Sequence, residues 1–108
     1  MPALPDLFAA LGDPTRFAIV ERLLAEGELT AGELQRGTAI SPPSVSRHLK
    51  VLRDAGLVDR RTAGSSRIYF ARPHAVERVG AWAMSHRDFW EASLKRLEQA
   101  LIQEVNRR

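Results

Sequence analysis

The 108-residue sequence predicts a mainly α-helical fold carrying one small β-hairpin. Three observations predict it. Apolar residues recur at three- and four-residue intervals towards both ends of the chain, and the period switches to two between Val58 and Phe70. Glycines and cap-plus-proline pairs cut the remainder into short pieces. With 44% hydrophobic and 27% charged residues the composition is that of one ordinary globular domain, taken here as residues 1–108.

The first helix is predicted over about Leu4 to Leu11, where Leu4, Leu7, Phe8 and Leu11 share a face, and Gly12 stops it. Asp13-Pro14 reads as the N-cap and first residue of a second helix, carried through Phe17, Ile19, Val20, Leu23 and Leu24 to Gly27. Thr30 with Glu33 has capping-box spacing and opens a short helix that ends near Arg36, with Gly37 as its stop. Ser41-Pro42 opens the next, through Val45, Leu49 and Leu52 to Ala55, with Gly56 as its C′ residue. Residues from about 30 to 55 therefore read as helix, tight turn, helix.

Beyond Gly56, Val58 to Ala63 and Arg67 to Phe70 alternate around Gly64-Ser65-Ser66, a two-stranded hairpin over about 58–71 with a basic tip. Helical spacing resumes from about Ala75 to Asn106, with an apolar stripe of Val76, Val79, Trp82, Ala83, Trp90, Leu94, Leu97, Leu101 and Val105. Such a helix would span ~48 Å, against a radius of gyration near ~13 Å for a domain of this length. It must overhang the body or break near Gly80 or Ser85. Its apolar stripe exceeds what one small body covers, so a second copy of the chain is the expected partner.

Charge is unevenly placed. Residues 44–72 hold seven arginines and lysines and only Asp54 and Asp59 against them, while the rest of the chain is net acidic. A basic segment on an acidic body is the footprint of a polyanion binder. Other classes are weakly represented. There is no cysteine for a disulfide, thiolate site or nucleophile, no apolar run approaching a membrane span, and no signal-peptide pattern, so a cytoplasmic, membrane-free protein is expected. No catalytic residue, metal or cofactor is expected either. Gly27, Gly32 and Gly37 lack the lysine of a phosphate loop, and no nucleophile elbow occurs.

A helix–turn–helix followed by a hairpin wing fits double-stranded DNA: the second helix enters the major groove and the wing reaches the flanking backbone or minor groove. On the helical wheel Val45, Leu49 and Leu52 face inward. Pro43, Arg47 and Lys50 lie opposite, Ser44 and Ser46 stand on the shoulders, and His48 is at the core edge. Ser44, Ser46 and Arg47 suit base edges and phosphates, while Lys50 and Arg53 suit phosphates. On the wing, Arg60, Arg61, Ser65, Ser66 and Arg67 are the candidates; the three arginines read equally well as edge-strand charges that discourage aggregation.

Gly-Asp-Pro-Thr-Arg at 12–16, Ser-Val-Ser-Arg-His-Leu-Lys-Val-Leu at 44–52 and Ala-Gly-Leu-Val at 55–58 resemble the ArsR/SmtB family of bacterial winged-helix repressors. The resemblance implies a homodimer paired through its first and last helices, binding an inverted repeat and released by an effector. The dimer candidates are Leu4, Leu7, Phe8 and Leu11 from the first helix. The last helix contributes Trp82, His86, Trp90, Leu94 and Leu97. The metal ligands of the family are missing: Thr30 and Gly32 stand where arsenic-type members carry a Cys-x-Cys pair. Arg72 and Phe89 stand where zinc-type members carry partners for histidines such as His74 and His86. An effector would therefore be a small organic molecule near Trp82 and Trp90, unless protein level alone provides control. The remaining alternative is a winged-helix protein–protein module without DNA readout, which the basic wing argues against.

Overall fold

The computed structural model describes residues 2–107; Met1 and Arg108, counted above in the single domain, lie outside the described residues. Six helices and a small sheet follow in the order α1 Leu4–Leu11, α2 Pro14–Glu26, β1 Leu29–Thr30, α3 Ala31–Arg36, α4 Pro42–Asp54, β2 Val58–Ala63, β3 Ser66–Ala71, α5 Pro73–Ser85 and α6 Arg87–Asn106. The architecture is a winged helix–turn–helix, with α3 and α4 as the helical pair and β2–β3 as the wing.

The caps act as their residue types require. The Asp13 carboxylate accepts the backbone N–H groups of Thr15 and Arg16 at 2.9 and 3.0 Å. Thr30 and Glu33 satisfy each other's backbone N–H groups at 3.1 Å in both directions, a complete capping box. At the end of α4 the chain reverses through Gly56 at φ +82°, and the Leu57 N–H returns to the Leu52 carbonyl. A side chain there would be strained, and its Cβ would also strike the Pro2 ring.

One expectation, the two-stranded hairpin as the whole sheet, needs correction, and one open alternative is decided. The sheet has three strands in the order β1-β3-β2: Leu29 and Thr30 pair antiparallel with Tyr69 and Ile68. Two residues are too short to show an alternation, so this strand left no period in the sequence. The last helix is not continuous from 75 to 106, and of the two expected break points the one at Ser85 is realised. His86 (φ −107°, ψ 15°) both ends α5 and precedes α6.

The core gathers one face of α1, α2 and α3 around α4: Leu7 and Ala10, Ile19 and Leu23, Leu34, then Val45, Leu49 and Leu52, closed below by Leu57, Val58 and Tyr69 and joined by Ala75 of α5. Leu7 is fully covered within one chain, so it belongs to this core and not to a pairing surface. By contrast α6 has no buried residue. It projects from the body and stretches the chain to 68 × 32 × 21 Å with a radius of gyration of 19.1 Å. Among the described residues no helix is long and apolar enough to cross a membrane.

Candidate nucleic-acid interface

Helix α4 divides as its wheel requires. Val45, Leu49 and Leu52 are buried, while Pro43, Ser46, Arg47 and Lys50 are exposed and Ser44 is half-buried. The polar face is already organised. Ser41, the N-cap, donates its hydroxyl to Ser44 at 3.1 Å, and Arg47 donates to the same Ser44 oxygen at 2.9 Å. Lys50 pairs with Asp54 one turn on at 2.8 Å, which holds the Asp54 carboxyl below its usual range.

The position of α4 is set from behind by the Gly-Asp-Pro-Thr-Arg corner. Arg16 donates from Nε to the Ala10 carbonyl at 2.7 Å and from Nη2 to that of Ala9 at 3.4 Å, satisfying carbonyls at the end of α1. Its Nη1 lies 3.5 Å from Nδ1 of His48, which is also 3.9 Å from Asp13. His48 is thus a half-buried strut between α4 and the α1–α2 corner. Arg16 was invisible in this role from the sequence, because its partners lie in two other helices, α1 and α4. Arg22 does similar work for α3, donating to the carbonyls of Glu33 and Leu34 at 3.2 and 2.9 Å.

The wing's register sorts its cations. Arg60 pairs with Tyr69, Arg61 with Ile68, and Thr62 with Arg67, and residues directly opposite share a face. Arg60, Arg67 and Tyr69 therefore lie on one face, and Arg61 on the other. On that other face Arg61 forms an ion pair with Glu28, which lowers the Glu28 pKa. The face carrying Arg60 and Arg67 meets α4 across a cleft of about 390 Å³, lined also by Ser46, Lys50, Arg53, Asp54 and Tyr69. Gly64, at φ +61°, turns the tip, and Ser65 and Ser66 are exposed there. Of the wing candidates, the structure brings Arg60 and Arg67 to α4 and leaves Arg61 apart. Tyr69 escaped the sequence reading; the signal that could have found it is its place directly across the hairpin from Arg60.

At the opposite end, Phe8 packs edge-on to Trp82 with ring centroids 5.2 Å apart, and Trp82 lies against His86 at 4.8 Å with the two rings tilted by 40°. His86 Nδ1 lies 2.9 Å from the Trp82 carbonyl and 3.0 Å from the Ser85 hydroxyl. Trp90 packs separately, against Phe89, so the two indoles belong to different aromatic clusters. Leu4 and Leu11 are half-buried, whereas Phe8, Trp82, His86, Trp90, Leu94 and Leu97 are exposed. Phe89 and Ile102 extend this exposed apolar face beyond the expected residues.

Comparison with known proteins agrees with this layout. A helix-turn-helix domain family matches residues 11–61. The HTH-type transcriptional regulator Rv2034 of Mycobacterium tuberculosis is 56% identical over 64 residues, 59% of each chain, so the present chain spans about three fifths of that relative's length. The arsenical resistance operon repressor of Escherichia coli is 35% identical over 102 residues, 94% of this chain and 83% of that one. Among solved structures, the ArsR family transcriptional regulator RHA00566 superposes with a TM-score of 0.72 at 32% identity, covering 82% of this chain and 96% of that one. The homodimeric winged helix-turn-helix DNA-binding domain Mb0332 of Mycobacterium bovis gives a TM-score of 0.63 at 27% identity, covering 78% and 77%. The chain is a member of the ArsR family of helix-turn-helix transcriptional regulators.

Proposed function

We propose that this protein is a sequence-specific DNA-binding repressor that acts in the cytoplasm as a homodimer on an inverted-repeat operator. The observation that carries the reading is the continuity of exposed donors from α4 to the wing: Ser46 and Lys50 line one cleft with Arg60 and Arg67. Pro43, Ser44, Ser46 and Arg47, at the start of α4, enter the major groove, with Arg47 the base reader and Lys50 on the backbone. Ser65 and Ser66 bring the wing tip to the flanking sugar-phosphate. Arg61 keeps its role as a wing anchor through Glu28.

Pairing uses the aromatic end. The exposed Phe8, Trp82, Trp90, Leu94 and Leu97 form an apolar surface too large to be left in water, and the relative Mb0332 is itself homodimeric. Two copies joined there present two recognition helices to half-sites about one helical turn, roughly 34–36 Å, apart. An effector, where one acts, is a small organic molecule held against one of the two aromatic clusters. Enrichment of duplexes from a random-sequence pool, followed by binding of the enriched duplex against salt, tests the reading. An inverted repeat with a steep salt slope is expected; enrichment of no sequence refutes it.

A further inference from the structure

Tyr69 is the one strongly buried side chain with a polar tip at the basic cleft: the residue is 6% exposed, its ring is in the core, and it lines the space between α4 and the wing. Its oxygen accepts from Arg60 Nη1 at 3.3 Å. A phenol also donates one hydrogen bond, and among the described residues that hydrogen has no acceptor. The other groups around the cleft are donors too. Lys50 and Arg53 come from α4, and Arg60 and Arg67 from the wing; the single carboxylate, Asp54, is already engaged by Lys50 at 2.8 Å.

A site built almost wholly of donors selects a ligand built of acceptors. Adenine and cytosine edges carry an amino donor that would go unpaired here, and the acceptor edges of guanine and thymine bring no charge to offset the cations. A phosphodiester presents only acceptor oxygens and one negative charge, matching a neutral O–H flanked by guanidinium groups. The place is also right for a backbone. Tyr69, Ser46 and Arg67 border a second cleft of about 470 Å³ whose lining includes Ser65 and Ser66 at the wing tip, so the track from α4 to the wing passes Tyr69.

We infer that the cleft between α4 and the wing is the seat of one backbone phosphate of DNA, received by the Tyr69 hydroxyl together with Arg60 and Arg67. The seat rests on the DNA reading above and adds Tyr69 as a positioning residue. Phosphate contacts fix register, and a hydroxyl carried on a ring anchored in the core cannot follow a shifting strand as a flexible arginine can. Tyr69 thus sets the spacing between the major-groove contacts of α4 and the contacts of the wing.

The test uses the full chain and a duplex enriched by it, with each phosphate replaced in turn by an uncharged methylphosphonate. Tyr69→Phe keeps the ring and removes only the donor. It should weaken binding about tenfold, the size of one hydrogen bond to a charged group, with an unchanged salt slope. Arg67→Gln should lower the slope by about one unit. Among the phosphates whose replacement weakens binding by the native protein, one should lose its effect in Tyr69→Phe and Arg67→Gln alike. Binding by Tyr69→Phe within twofold of the native protein overturns the seat, as does loss of sensitivity at different phosphates in the two variants. Should Tyr69→Phe fail to fold, Arg60→Gln takes its place in the scan, and a shared or unshared phosphate decides in the same way. Enrichment of no duplex by the native protein removes the DNA reading itself, a failure distinct from that of the seat.

Discussion

Arg61 of β2 is ion-paired to Glu28, the residue before β1, and so the wing is tied to the connection between α2 and β1 by a charge pair on the face away from α4. Its neighbour Arg60 lies on the α4 side, against the Tyr69 hydroxyl. Two adjacent arginines in one basic run thereby take different parts: one steadies the wing, the other faces the cleft.

Arg61→Gln and Arg67→Gln should therefore separate in a DNA titration. Arg67→Gln removes a cation from the α4 side and should flatten the plot of affinity against salt by about one unit. Arg61→Gln removes one from the face turned away from α4, and affinity should stay within about twofold of native at physiological salt. Equal losses in the two variants would contradict the sorting by register.

Within α4 the expected split is between a base reader and a backbone contact. Arg47→Ala should cost about 1–3 kcal/mol on the enriched duplex and relax the preference at one base pair. Lys50→Ala should weaken all sequences alike, with a slope lower by about one unit. Competition with point-changed duplexes distinguishes the outcomes.

Leu7 and Leu94 test core against surface. Leu7→Ala removes a fully covered side chain and should lower the unfolding free energy by about 2–5 kcal/mol in urea. Trp90→Glu combined with Leu94→Glu places charge on an exposed apolar face and should yield monomers. Sedimentation equilibrium at micromolar concentration reads this directly; a native protein that is already monomeric there would refute the pairing.

Acid should loosen the caps and the wing together. The backbone N–H of Arg16 lowers the Asp13 pKa from 3.8, and the Arg61 side chain lowers that of Glu28 from 4.5. The backbone N–H of Thr30 lowers Glu33 from 4.5, and Lys50 lowers Asp54 from 3.8. A carboxyl with a depressed folded value takes up its proton more readily in the unfolded chain, so its contribution is present above the ordinary value and lost as pH falls through the lowered one. The urea midpoint should hold down to about pH 5 and decline below it, and Glu28→Gln should make that decline shallower. A midpoint indifferent to acid would exclude these contacts in solution.

The sequence by itself determined the local structure. The starts of α2, α3 and α4 were legible because a cap is a contract between residues two or three apart, as in Asp13 with Thr15 and Arg16 or Thr30 with Glu33. The face of α4 was legible because Val45, Leu49 and Leu52 repeat at the helical period. The family was legible because its motifs fall inside those same elements. Tertiary structure decided whatever depends on pairs far apart in the chain. Two-residue β1 exists only because β3 lies beside it, and Leu7 is core rather than interface because other helices close over it. Whether Arg60 or Arg61 meets α4 follows from strand register, since a one-residue slip exchanges the two faces. Composition could count the wing's cations, but only the pairing of β2 with β3 chose which of them reach the cleft.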